Sequence, residues 1–167
     1  QDGRLTAEPE VVISNNSGSH ALARARRAGV PAYHLSGKTH PKLDDLDAAI
    51  LDVLHRHEVN LVILAGYMRL LGPKTIATYQ RRILNIHPAL LPSFGGKGLY
   101  GPAVHEAVLA AGDSVTGVTI HVVDEKFDRG AILAQVTVPV EKDDTTESLA
   151  GRVLAQEHLL FVETLQQ

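Results

Sequence analysis

Short apolar runs alternate with longer stretches of helical period along the whole chain. Glu10–Ser14 reads as a buried strand, and Ser17 caps a helix predicted over Gly18–Ala28 that Gly29 stops. Ala32–Leu35 reads as a second strand and Ser36–Lys42 as polar loop. From Leu43 to Glu58 the apolar positions Leu43, Leu46, Ile50, Val53 and Leu54 follow helical spacing. Leu61–Leu64 is apolar at every position, as expected of a strand covered by helices on both faces, and Gly66 ends it. Pro73 opens a short helix to about Tyr79, and Ile83–Ile86 is a further strand. Pro88–Gly101 is rich in Pro and Gly and reads as loop. Pro102 starts a helix over Ala103–Ala111, with Gly112 as its stop. Val115–Val123 and Ile132–Val138 are strands, and Thr145–Leu165 is a long terminal helix.

Strands alternating with helices, followed by a strand pair, predict an α/β protein with a mainly parallel sheet and an antiparallel edge. Such sheets bind ligands at the carboxyl ends of their strands. Ala65–Leu71, Asn85–His87 and Asp124–Asp128 all lie at or just past such ends. A chain of 167 residues is about one domain's worth, and the whole of it, residues 1–167, is read as a single domain.

Composition narrows the chemistry. The chain has no cysteine, which removes disulfides, thiol nucleophiles and thiolate metal sites. The net charge is −3, so no basic surplus favours nucleic acid, and aromatics are only 4% with no Trp, which argues against a base-stacking surface. No apolar run reaches the ~18 residues of a membrane span. A cytoplasmic protein that contacts neither membrane nor nucleic acid is the expectation. The histidines form no H-E-x-x-H, and His55 and His57 are two apart on a helix, so no metal is expected.

Asn85-Ile86-His87-Pro88 is the sharpest local feature. In extended chain, residues two apart share a face, and Pro88 pushes His87 toward extended geometry. The Asn85 amide and His87 imidazole should therefore project together. Such a pair can hold a developing oxyanion and move a proton near neutral pH, or can simply be a polar strand end bonded to backbone. The loop Asp124–Gly130 carries three acids, which usually means a solvated loop; an acid there gains meaning if it meets His87. His121 shares a face with Thr119 and Val123, where the pattern favours a structural histidine over a partner of the site. On the terminal helix Leu149, Val153, Leu154, Leu160, Phe161 and Leu165 form an apolar stripe. Glu157 falls about 80° from Leu149, within that stripe. A carboxylate there must pair with a buried cation or face a ligand amine. Gly95–Gly101 does not match a phosphate-binding loop and reads as a mobile loop or lid.

Four segments together resemble the glycinamide ribonucleotide formyltransferases of the folate-dependent formyltransferase superfamily. They are Asn85–Phe94, Ala65–Leu71, Thr116–Glu125 with Asp128, and Gln156–His158, in register from about Glu10 onward. The resemblance implies a Rossmann-like three-layer αβα sandwich. It implies formyl transfer from 10-formyltetrahydrofolate to the amine of glycinamide ribonucleotide in purine synthesis, with no metal. By resemblance Asn85, His87 and Asp128 are catalytic, with His87, when protonated, helping Asn85 to hold the oxyanion. Met68, Arg69, Leu70, Leu71, Val123, Asp124 and Asp128 match the folate pocket. Glu157 and Pro88 lie on the amine-substrate side, with His121 behind them. A homodimer is compatible with this reading. The family begins with a strand and a Gly-rich, phosphate-binding turn that has no counterpart here, so a chain lacking its first elements is the expectation. The alternatives are a formyltetrahydrofolate deformylase, a formyltransferase acting on aminoacyl-tRNA or an amino sugar, and a non-catalytic folate-binding module.

Overall fold

A computed structural model describes residues 5–166. The elements run β1 (Val12–Ser14), α1 (His20–Arg27), β2 (Ala32–His34), α2 (Leu43–Arg56), β3 (Val62–Leu64) and α3 (Pro73–Thr78). They continue with β4 (Ile83–His87), α4 (Pro102–Ala111), β5 (Val115–Val122), β6 (Ile132–Pro139) and α5 (Thr146–Leu165). Element types follow the hydrophobic pattern throughout. One cap differs: Ser19, not Ser17, accepts the Leu22 N–H and opens α1. The reason is local. The Asn16 side chain accepts the Gly18 N–H at 3.0 Å and holds residues 16–18 in a turn, which delays the helix. At the other end of the chain, Thr145 and Ser148 exchange side-chain and backbone bonds in a capping box that starts α5.

β1 and β2 pair in parallel as a two-stranded sheet, while β3-β4-β5-β6 form a four-stranded one. β3 and β4 are parallel, and β5 is antiparallel to both of its neighbours, so the antiparallel part is the two ladders that flank β5. Helices cover both faces. Leu46, Ile50, Val53 and Leu54 of α2 join Ile76, Tyr79 and Ile83 in one core, against which Ile13, Val62 and Leu64 pack. Val108 of α4 with Leu149 and Val153 of α5 meet Val118 and Val138 in the other, which Ile86 completes. β4 thus contributes Ile83 to one core and Ile86 to the other, the alternation expected of a central strand. Each such fully buried aliphatic side chain stabilises the fold by about 1.5–3 kcal/mol.

One polar contact inside this frame ties α3 to α2. Asp47 of α2 is buried and accepts the backbone N–H groups of Lys74 and Thr75 at 2.8 and 3.1 Å, with the Thr75 hydroxyl donating as well. It therefore caps α3 from another helix, because Gly72 at the N-cap has no side chain to do so. A Cβ at Gly72 would run into the Asp47 carboxyl, so glycine is required there. Asp47→Ala takes the carboxylate acceptor from two backbone N–H groups and the Thr75 hydroxyl, and we expect a loss of about 2–3 kcal/mol, read from the urea midpoint at constant slope. An unchanged midpoint would show that the cap is dispensable.

Candidate active site

The site is built where β4 ends. Cross-strand register pairs Asn85 with His121 and His87 with Thr119, which puts all four side chains on one face of the sheet. Ile86 turns to the opposite core. Just past His87, the Thr119 hydroxyl donates to the Ala89 carbonyl at 2.6 Å and accepts the Leu91 N–H at 3.0 Å. The Gln135 amide donates to both Thr119 Oγ1 and the Leu91 carbonyl. The chain leaving His87 is thereby held by two neighbouring strands.

His87 is 4% exposed. Its Nε2–H donates to the Phe94 carbonyl at 2.8 Å. A carbonyl only accepts, so the proton sits on Nε2 and Nδ1 carries a lone pair. Nδ1 lies 3.7 Å from Asp128 Oδ2. Burial pushes the imidazole below its ordinary value, and this outweighs the upward pull of the Asp128 charge and the Phe94 bond. Burial therefore favours the neutral ring, with a free base at Nδ1, over the charged ring that would help Asn85 hold an oxyanion.

Asp128 sits at the junction. Its Oδ2 accepts the Gly96 N–H at 2.8 Å, and its Oδ1 lies 3.4 Å from His121 Nε2. Burial would raise this carboxyl, but His121, the Gly96 N–H and His87 together hold it below the usual carboxylate range. Its φ of 54° is left-handed, a conformation Asp adopts more readily than most residues. Phe94, whose carbonyl receives His87, also has φ 54°. The glycine-rich loop is thus tied to the site through backbone groups at both residues.

His121 is both structural and part of the cluster. Its Nδ1–H donates to the Val122 carbonyl at 3.0 Å, which leaves Nε2 to accept the Asn85 amide at 3.1 Å. One Asn85 N–H is spent on His121; the other is free to meet a ligand oxygen.

Asn85, His87 and Asp128 open on a cavity of about 870 Å³, lined also by Met68, Pro88, Tyr100, His105, Glu157 and His158. Glu157 has no hydrogen-bond or ion-pair partner among the described residues, and burial alone pushes its carboxyl up. Leu154, placed on the apolar stripe by its spacing, instead lines this cavity and is about half exposed. A smaller adjoining pocket is lined by Arg69, Leu70, Leu71, Val123, His121 and Asp128. Asp124 reaches neither, because its carboxylate accepts the Lys126 N–H at 2.8 Å and closes its own turn. The sequence reading missed Tyr67, Tyr100, His105 and His158. Tyr67 and His158 lie within segments that carry the resemblance, and His105 left a signal as a histidine on the same helix face as Val104 and Val108.

A family model described as formyl transferase matches residues 1–165. The chain belongs to the formyl transferase family. It is 46% identical over 166 residues to the chloroplastic phosphoribosylglycinamide formyltransferase of Vigna unguiculata, covering 98% of this chain and 53% of that protein. It is 43% identical over 165 residues to the Arabidopsis thaliana counterpart, covering 98% and 56%. The chain therefore spans about half the length of these relatives. The crystal structure of phosphoribosylglycinamide formyltransferase from Bacillus halodurans superposes with a TM-score of 0.90 at 39% identity, covering 98% of this chain and 81% of that one. The Rossmann-like α/β fold is shared. No described helix is long and apolar enough to cross a membrane.

Proposed function

We propose that this chain carries the formyl-transfer centre of a phosphoribosylglycinamide formyltransferase, moving a formyl group from 10-formyltetrahydrofolate to the substrate amine. The observation that carries the reading is the convergence of Asn85, His87 and Asp128 on one cavity that also holds the unpaired carboxyl of Glu157. The names of the relatives point to the same reaction. A cytoplasmic setting and a homodimer belong to this proposal as well.

The chemistry follows from the groups present. Glu157 receives the amine and orients it. The amine nitrogen attacks the formyl carbon, and the free Asn85 N–H donates to the oxygen as it gains charge. His87 Nδ1 takes the amine proton, and Asp128 stabilises the imidazolium that forms. The carbon–N10 bond of the folate then breaks, and that nitrogen receives the proton. The products are the formylated amine and tetrahydrofolate. A deformylase would use the same centre with water in place of the amine. The unpaired Glu157 favours the amine.

The test is an assay of the polypeptide that contains this chain, with and without phosphoribosylglycinamide. Formyl transfer to the amine is expected, with little formate release in its absence. Glu157→Gln should raise KM for the ribonucleotide about 10- to 100-fold while folate affinity is preserved. Formate release independent of the amine would favour hydrolysis and end the proposal.

A further inference from the structure

His105 lies on α4 beside the site, is 5% exposed, and has no part in the chemistry above. Its Nδ1 is sealed from solvent and has no hydrogen-bond partner. Neither ring nitrogen is bonded to any described residue, and Nε2, unlike Nδ1, is not sealed from solvent, on a ring that lines the cavity. A buried N–H without an acceptor is costlier than a buried lone pair, so the proton belongs on Nε2. Burial and the neighbouring His87 both disfavour a charge on this ring. It is therefore a neutral donor aimed into the cavity.

We propose that His105 is a further substrate-binding residue, donating from Nε2 to an uncharged oxygen, carbonyl or hydroxyl, of the amine substrate. This rests on the functional reading above. Two observations fix the kind of oxygen and the substrate. Among the described residues no Lys or Arg lines the large cavity, so the wall around His105 offers no counter-charge for a phosphate. α4 packs on α5, whose Glu157 and His158 line the same cavity.

Calorimetric titration with phosphoribosylglycinamide tests it. A Gln amide nitrogen reaches about as far as Nε2 of His, and an Asn amide nitrogen only as far as Nδ1. His105→Ala and His105→Asn should each weaken binding about 3- to 10-fold, and His105→Gln should stay within about 3-fold of wild type. Folate affinity should not move. The ¹⁵N shift of His105 Nε2 in wild type should change on adding the ribonucleotide, which decides the matter even if a variant fails to fold. Wild-type affinity in His105→Ala, Asn rescuing as well as Gln, or an unmoved Nε2 signal in the bound protein would each overturn the proposal alone. Failure of folded wild type to bind the ribonucleotide would instead overturn the functional reading, and this proposal with it.

Discussion

His87→Ala is expected to lower kcat about 10²- to 10⁴-fold, with folate affinity held within about threefold. The ring lines the cavity, and its protonation state is set by the Phe94 carbonyl on Nε2 and by burial. Removing it takes away the acceptor for the amine proton without touching Asn85 or the smaller pocket. Its neutral form is the working one, so kcat/KM should fall as pH drops through the His87 pKa, which lies below the usual histidine value. Steady-state kinetics over pH 5–8 would show this limb in wild type and its absence in the variant's residual rate. Turnover above a tenth of wild type in the alanine variant would remove His87 from the mechanism.

Asp128→Asn should cost turnover on the order of 10²- to 10³-fold, because the imidazolium that forms at His87 loses the charge beside it. Asn tolerates the left-handed backbone at this position, and its amide oxygen can still accept the Gly96 N–H. The fold should therefore survive, so the loss reads on charge. Stability against acid separates the groups further. His87 and His105 have lowered values in the folded state, so the unfolded chain binds protons first, and stability falls as pH drops below about 6.5. Asp128 is also lowered, so its contribution is present above the ordinary carboxylate range and is lost as pH falls through its folded value. Asp128→Asn should flatten the second, more acidic limb of a denaturation profile and, by removing the upward pull on His87, extend the first to lower pH. A first limb that shrinks instead would show that the carboxylate does not raise His87.

The elements and their order were legible because periodicity reports burial directly. β3 is a run of apolar residues, and the helical stretch from Thr145 to Leu165 marks α5. The pairing of Asn85 with His87 on one face was equally legible, because alternation in a strand is set by backbone geometry alone. Glu157 stood out as an acid where the helix pattern called for an apolar residue. None of these fixes where a loop comes to rest. Asp128 meets His87 only because its left-handed backbone and the Gly96 N–H carry the carboxylate there. Likewise, the charge state of His87 depends on burial and on a carbonyl seven residues away. Local pattern along the chain thus determined the strands, the helices and which side chains share a face. The tertiary structure decided protonation, partners and cavity, because desolvation and hydrogen bonding between distant segments exist only once those segments have packed.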